Sequence, residues 1–504
     1  MDRWALFSVS DKTGSAELGR WFLSQGIGVL ASGGTYRFLE ENGVAATSLE
    51  SITGFDQVLG GRVKTLHPAI YAGLLSRRTK DDQADVTRIG APNIVAAVVN
   101  LYPFRSKALQ KVQDFSLLVE EIDIGGVSLI RAAAKNYAHV MVLIDPKQYP
   151  SITTKEWNGF GIADRRQLAV TAFRHAAAYD AAIAQVLGEH EEALDLDWVA
   201  AGVVQQELRY GENPHQSASF YHVEPRSGFA GAQQYQGKEL SYNNLADADA
   251  AWGLVRSLAE PAAVVIKHQN PAAAAVAPSV EKAFELAYQA DPVSIFGGIV
   301  AFNTMVTKTV AEKLKDIFLE VVLAPKYDAA ALEVLGRKKN LRVLKMPQQS
   351  FKPWDVRMID GGLLVQTIDR EVVTLSDWQQ VAGPKTALQA WERDACLAWS
   401  TVRWAKSNAI VLARDGVTRG IGSGQTNRID AAKQAISRAG DASQGAILAS
   451  DAFFPFGDVM AEAAQAKVKV VIQPGGSHRD QESIDAANQF GIALFFTKER
   501  HFRH

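Results

Sequence analysis

Cysteine is nearly absent from this 504-residue chain. Cys396 stands alone, which excludes an intramolecular disulfide and any cysteine-rich metal centre. No charge of one sign dominates, with 53 Lys plus Arg against 55 Asp plus Glu and a formal net charge of -2. That excludes a uniformly basic nucleic-acid coat and leaves room only for local anion pockets. Long apolar runs are missing too. Stretches such as Ala262–Ile266 and Ala272–Pro278 fall far short of the ~20 residues a membrane span needs. The opening Met1-Asp2-Arg3-Trp4-Ala5-Leu6-Phe7 meets Asp11 and Lys12 within five residues, with no apolar core of signal-peptide length. The expectation is a soluble cytoplasmic protein that binds neither membrane nor nucleic acid. Metal signatures are also lacking: there is no H-E-x-x-H and no EF-hand loop. The H-x-E matches at His190-Glu191-Glu192 and His222-Val223-Glu224 have no P-C-x-x-C partner to complete a zinc deaminase site. No catalytic metal is expected.

What is present is an ordinary globular balance, 47% hydrophobic and 21% charged. At ~100–200 residues per domain the length allows two to four domains. The first two hundred residues alternate β-rich runs with amphipathic stretches. Trp4–Val9, Ile27–Ala31, Ile94–Asn100 and Val140–Ile144 read as strands; Ser15–Gln25, a stretch ending near Asn42, and Arg165–Val186 read as helices. Such alternation predicts a parallel α/β layer structure. A boundary is expected near residue 200, after the acidic stretch Glu189–Asp197, and a longer mixed α/β segment follows. Asp291 to Gly297 and Asp451 to Gly457 share the pattern D-x4-F-G, each preceded by a Lys-x-Asn-like element at Lys267–Asn270 and Lys406–Asn408. Two related halves would produce this echo, and so would chance.

Several loops carry the chemistry of anion binding. A strand runs into Ser8-Val9-Ser10-Asp11-Lys12-Thr13-Gly14 and then a helix; a second runs into Ser32-Gly33-Gly34-Thr35. Helix N-termini present N–H groups and partial positive charge, and hydroxyls plus a lysine complete a phosphate cradle. Each loop alone also reads as a helix cap. Together, at the carboxyl edge of a parallel sheet, they point to phosphate, although no Walker A loop is present. Gly60-Gly61-Arg62-Val63-Lys64-Thr65-Leu66-His67-Pro68 adds basic groups behind two glycines, with Arg62 and Lys64 on one side of an extended segment; a solvated basic loop is the plainer reading. Asp123-Ile124-Gly125-Gly126 leads into a helix whose Arg131 and Lys135 share a face. A lysine near other cations and partly desolvated exchanges protons more readily, whereas most helix lysines are solvated surface groups.

Further along, the apolar Ala263–Ile266 ends at Lys267-His268-Gln269-Asn270-Pro271, a strand end before a turn attributed to Pro271. A lysine charge beside His268 disfavours imidazolium and leaves a ring able to accept a proton; a structural histidine at a strand end is the alternative. Arg209-Tyr210-Gly211-Glu212-Asn213-Pro214-His215 is a polar turn. Ile421–Arg428 is a Gly-rich loop before a helix at about Ile429–Ser437, and Gln473–Ser477 is a Gly turn after the strand Val468–Ile472.

Taken in order, SVSDKTG, ASGGT, GGRVKTLHP, NLYPF, DIGG, RAAAKN, LRYGENPHQ, KELSYNN, DPVSIFGG, SDAFFPFGD and the terminal RHFRH resemble the bifunctional AICAR transformylase/IMP cyclohydrolase family end to end. The resemblance implies an α/β protein with a methylglyoxal-synthase-like parallel-sheet cyclohydrolase domain at 1–197. A transformylase region follows at 198–504, built from two cytidine-deaminase-like halves, about 198–365 and 366–504. It implies a homodimer that takes 10-formyltetrahydrofolate as co-substrate, formylates AICAR and cyclises formyl-AICAR to IMP. By resemblance His268 is the base of formyl transfer and Lys267 stabilises charge or relays a proton. Arg209, Tyr210, Gly297, Asn408, Phe453 and Arg500 match nucleotide-side positions; Arg428, Ile429 and Asp458 match the folate side. For cyclisation Lys135 matches the proton donor/acceptor, a path that Tyr102 and backbone N–H groups can share. Ser10, Lys12, Ser32, Gly34, Thr35, Arg62, Lys64 and Thr65 hold the nucleotide, with Asn100, Tyr102, Asp123 and Gly125 around its base.

Two departures stand out. Ala272-Ala273 replaces the usual Cys-Gly, which bears on the turn because alanine tolerates fewer backbone conformations. Glu320 stands where some relatives carry Asp. Three rivals are a silent purine-nucleotide binder, a single-activity enzyme with one decayed half, and a zinc deaminase. Retention of Lys135, Lys267 and His268 argues against the first, and missing ligands against the last.

Overall fold

The computed structural model describes residues 2–55, 57–102, 104, 115–188, 198–223, 227–348, 354–369 and 373–504. The acidic stretch 189–197, with its H-x-E match, lies outside the described residues, as does Glu224 of the second match. The chain divides into two compact units, Met1–Val203 with Val223–Pro225, and Val204–His222 with Arg226–His504. The boundary expected at 197/198 lies a few residues before this division.

Among the described residues the first unit carries a five-stranded sheet of β1 (Trp4–Val9), β2 (Gly28–Ala31), β3 (Ala46–Ser48), β4 (Ile94–Asn100) and β5 (Met141–Leu143) in the order β3-β2-β1-β4-β5. All its pairings are parallel. Burial on both faces explains the near-continuous Val, Ile and Ala composition. One face packs Phe7, Val29, Val98 and Leu143, the other Leu6, Leu30, Ala97 and Val142, the period-two alternation of a strand. The strand order reverses between β1 and β4, a topological switch point whose carboxyl edge forms a natural ligand crevice. The helices Ser15–Ser24, Gly33–Glu41 and Ile124–Lys135 begin near it.

In the second unit β6 (Val203–Leu208) and β7 (Ala218–His222) form a hairpin. A twelve-stranded sheet follows among the described residues. Its first part holds β8 (Gln233–Gln236), β9 (Ala262–Lys267), β10 (Asn270–Val276), β11 (Ile299–Phe302), β12 (Val321–Ala324) and β13 (Arg342–Lys345). A separate hairpin, β14 (Trp354–Ile359) with β15 (Gly362–Thr367), intervenes. The second part holds β16 (Gln379–Ala382), β17 (Ile410–Arg414), β18 (Val417–Gly422), β19 (Ile447–Ser450), β20 (Val470–Gln473) and β21 (Ala493–Phe496).

The order β16-β21-β20-β19-β17-β18-β10-β9-β11-β12-β13-β8 is palindromic about the β10–β18 contact. Each part runs edge strand, helix, antiparallel hairpin, then three helix–strand steps; the division expected at 365/366 falls inside β15. The first helices, Tyr242–Arg256 and Glu392–Trp404, cover one continuous face through Trp252 and Trp399. The remaining helices cover the other face in two separate cores.

The chain is thus duplicated here, but not through the D-x4-F-G echo. Asp291–Gly297 precedes β11, whereas Asp451–Gly457 follows β19, so the two occupy opposite ends of equivalent strands. The repeat is carried by D-A-x2-A-W-x2-V-R at Asp247–Arg256 and Asp394–Arg403, on the equivalent helices. Both hairpins also carry a bulge at the same step, at Ala272 and at Arg419.

Candidate active sites

At the switch point of the first unit, Asn100 ties two loops together. Its Oδ1 accepts the amides of Ser10 (2.6 Å) and Asp11 (2.9 Å), and its Nδ2 donates to Asp11 O (2.8 Å). The Thr35 hydroxyl bonds Val9 on both its N–H (3.2 Å) and carbonyl (3.1 Å) sides. The ends of β1 and β4 and the second helix are thereby locked in register. Lys12 Nζ donates to Val9 O at 3.2 Å.

Lys64 lies against the Gly33 backbone, where a Cβ would fall 2.2 Å from its Nζ; Gly33 was not singled out from the sequence. Burial pulls the Lys64 ammonium below the usual lysine range, and the charges of Arg37 and Lys12 add to this while Glu50 opposes it. Crowded cations beside buried Ser32 and Thr35, at a helix N-terminus, fit an anionic group. On the neighbouring side Asp123 caps the helix Ile124–Lys135 through Gly126 N at 2.7 Å. Burial pushes its carboxyl above the usual range against the amides of Gly126 and Tyr102. Thr65 Oγ1 sits where a Cβ on Gly125 would come within 2.8 Å. Tyr102, 55% exposed, completes this edge.

Two sequence-predicted groups lie apart from this constellation. Arg62 follows a 3-10 turn in right-handed helical backbone rather than an extended segment, so period two does not apply. Its guanidinium pairs with Glu120. Lys135 occupies the last turn of a 12-residue helix and is exposed. A rise of 1.5 Å per residue puts it roughly 16 Å along the axis from the Asp123 end.

In the second unit His268 and Gln269 form the two-residue loop joining β9 to β10. The turn is made by these residues; Pro271 is already in β10. Ala272 and Ala273 both lie in that strand, and neither is among the positive-φ residues, so alanine is unstrained there. His268 is exposed at the tip. Lys267 Nζ donates to Phe296 O at 2.8 Å, which draws it to the loop preceding Gly297. Gly297, with φ 71, donates its N–H to Phe318 O at 2.8 Å. Asn270 Oδ1 accepts Lys406 N at 3.1 Å, joining this hairpin to the segment carrying Asn408. His268, Lys267, Gly297 and Asn408 therefore belong to one connected network.

Asn408 is held from behind by Arg428, whose Nη2 donates to its Oδ1 at 2.6 Å. Arg428 is buried and paired with buried Asp451. Asp451 also accepts Ser407 Oγ (2.5 Å) and Ala409 N (3.1 Å), and its carbonyl accepts His501 N (2.9 Å). Asp451 thus fixes Asn408 through Arg428, the start of β17 through its carboxylate, and the tail carrying Arg500 through its main-chain carbonyl. Arg500 lies over the Phe502 ring at 4.5 Å. Of the folate-side positions, the Arg428 side chain is committed internally and Ile429 packs on the core. The Asp458 carboxylate accepts Val459 N at 2.8 Å, at the start of its helix. Arg209 lies over its neighbour Tyr210 at 5.7 Å, in a loop tied to the Tyr242–Arg256 helix by Asn243. Glu320 is paired with Arg342 at 2.8 Å.

Among the described residues there is no cluster of three or more His, Cys, Asp or Glu able to hold a metal ion, and no helix long and apolar enough to cross a membrane.

Comparison with known proteins identifies the family. Residues 133–438 match the AICARFT/IMPCHase bienzyme model, and residues 14–128 match the MGS-like domain. The chain is 46% identical over 513 residues to the bifunctional purine biosynthesis protein PurH of Oceanobacillus iheyensis, covering 100% of both. It is 46% identical over 515 residues to PurH of Bacillus cereus strain B4264, again covering 100% of both. A solved structure, ForH, is 34% identical over 37% of this chain and 97% of its own, with a TM-score of 0.34. The chain belongs to the AICARFT/IMPCHase bienzyme family and is a bifunctional AICAR transformylase/IMP cyclohydrolase of purine biosynthesis.

Proposed function

We propose that the second unit performs formyl transfer from 10-formyltetrahydrofolate at the tip of the β9–β10 hairpin, with His268 as base. The 5-amino group of AICAR is a weak nucleophile because its lone pair is delocalised into the ring. It attacks the formyl carbon as a base removes its proton; the tetrahedral oxyanion then collapses and tetrahydrofolate leaves. The single observation supporting this is the exposed His268 flanked by Lys267 and joined through Asn270 to the Asn408 segment. Lys267 stabilises the oxyanion. Gly297, Asn408, Phe453, Arg209, Tyr210 and Arg500 take the nucleotide; the helix starts at Arg428, Ile429 and Asp458 face the folate.

In the first unit Ser10, Lys12, Ser32, Gly34, Thr35, Lys64 and Thr65 hold the phosphoribosyl group, with Arg62 at the rim. Asn100, Tyr102, Asp123 and Gly125 surround the base. The carboxamide nitrogen of formyl-AICAR attacks the formyl carbon and water departs, giving IMP. Lys135 is the proposed proton donor/acceptor. Lys64 is a second candidate, favoured by its burial and by its cationic neighbours, which both promote a neutral amine. The enzyme is proposed to act in the cytoplasm as a homodimer with transformylase sites at the interface, on the strength of its likeness to the family.

The test supplies AICAR and 10-formyltetrahydrofolate and follows folate release and IMP formation separately. His268→Ala is expected to slow the first step by at least about 100-fold while added formyl-AICAR is still cyclised. Near-normal transfer in that variant overturns the base assignment. Lys135→Ala and Lys64→Ala, compared on cyclisation, decide between the two lysines.

A further inference from the structure

The loop carrying His268 has an improbable backbone. Both loop residues have positive φ, 53 for His268 and 60 for Gln269, as a type I′ hairpin turn requires, yet such turns favour Asn-Gly or Asp-Gly. Side chains held in the left-handed region persist only where the surroundings over-determine them. The equivalent loop between β17 and β18 is Asp415-Gly416, with φ 57 and 74, a favoured pair.

Both loops are held by the same device. Asp247 Oδ2 accepts His268 N at 3.2 Å and Oδ1 accepts Gln269 N at 2.8 Å. In the second repeat Asp394 Oδ2 accepts Asp415 N at 3.0 Å and Oδ1 accepts Gly416 N at 2.7 Å. The sequence separations, 21 and 22 residues, are identical in both repeats. Each aspartate opens the D-A-x2-A-W-x2-V-R stretch on the helix beneath its hairpin.

Two parallel N–H groups need two acceptors side by side, and a carboxylate supplies them in one side chain. In the second repeat, glycine makes the turn favourable without much help. In the first repeat the residues at the tip suit chemistry rather than conformation, so the turn leans on its carboxylate.

We propose that Asp247 is a positioning residue for formyl transfer: by clamping both loop amides it holds His268 in the left-handed backbone that aims the imidazole at the AICAR amine. This rests on His268 being the base. Asp247 touches no reacting atom; it acts through the main chain. Asn270 Nδ2, donating to His268 O at 3.1 Å, braces the loop from its other end.

The experiment measures steady-state formyl transfer in the full-length enzyme, with urea unfolding of the second unit as the control for folding and cyclisation of supplied formyl-AICAR as the control for the first unit. Asp247→Ala is expected to lower kcat for transfer on the order of 100-fold with little change in KM for AICAR, since the base is misaimed while the nucleotide contacts stay. Asp247→Asn, which retains one acceptor, should fall between it and wild type and serves if the alanine variant folds poorly. Asp394→Ala should leave transfer unchanged, because its loop carries no chemistry. The decisive variant is Asp247→Ala with Gln269→Gly, which gives the first loop the glycine of the second. It should recover at least about tenfold of the lost kcat, as glycine adopts positive φ without strain.

The proposal is overturned if Asp247→Ala keeps wild-type kcat, if Asp394→Ala loses as much, or if Gln269→Gly gives no rescue. His268→Ala separates the two readings. If it transfers formyl normally, the base assignment falls; if it is inactive while Asp247→Ala is active, only the positioning role falls.

Discussion

The two repeats of the second unit solve the same packing problem with different chemistry at equivalent positions. After β11, Asn303 accepts Ala262 N at 2.8 Å and donates to Leu258 and Glu260 carbonyls at 2.9 and 2.8 Å, a neutral clasp on the start of β9. The equivalent residue after β19 is Asp451, which accepts Ala409 N at the start of β17 but pairs also with Arg428. Where the second repeat buries Arg428 at the start of its helix, the first has apolar Val280. Burial depresses the Arg428 guanidinium's proton affinity while Asp451 opposes that. A neutral clasp suffices to hold a strand. The charged one also positions Asn408 through Arg428, so function accounts for the costlier arrangement better than stability does.

Breaking that contrast should give the largest effect. Arg428→Met leaves the Asp451 carboxylate buried without its counter-ion, a loss of about 3–5 kcal/mol read from urea unfolding of the second unit. The pair Arg428→Val with Asp451→Asn imports the chemistry of the first repeat and should recover more than half of the lost stability. Formyl transfer should stay impaired, because Asn408 loses its support. Recovery of both would show the ion pair to be structural only.

Next comes a difference in how closely helices approach the sheet. A Cβ on Gly422 would fall 2.0 Å from Ala431 O, and one on Gly420 equally near Ala435 O. The equivalent residues of β10 are Ala275 and Ala273. Gly422→Ala should therefore destabilise by about 1–3 kcal/mol through overpacking against backbone, seen as a lowered Tm.

Between the units, Gly33→Ala should displace the Lys64 ammonium. It should lower kcat/KM for cyclisation about tenfold, the value of one charge-assisted contact, with formyl transfer unchanged. Equal loss of both activities would point to general damage. The smallest effect is expected at the partly exposed Arg393–Glu260 pair (2.6 Å) that spans the repeats. Glu260→Gln should cost less than about 1 kcal/mol in denaturant titration.

Much of this was legible in sequence. The first sheet's strands β1 and β4 fall on the expected residues, because apolar β-branched runs buried on both faces admit few other readings. The two loops proposed to hold phosphate were readable as strand-to-helix turns, because glycines and hydroxyls directly follow apolar strands there. The duplication was legible as well, but in the D-A-x2-A-W-x2-V-R stretches of helix rather than in the loop pattern that first suggested it. Core positions repeat because they pack against the same sheet; a short D-x4-F-G loop is under no such constraint.

By itself, then, the sequence determined the family and the parallel layering of the first unit, and it supplied the candidate residues of both proposed sites, since local periodicity and loop chemistry are properties of contiguous residues. Only the tertiary structure decided which of those residues meet. It set Arg62 on Glu120, put Lys135 at the far end of its helix, and buried Arg428 against Asp451. It also placed Asp247, 21 residues upstream, under the loop of His268. Each of these rests on a contact between segments distant in the chain, where direction and distance are fixed by sheet register and helix packing rather than by spacing along the sequence.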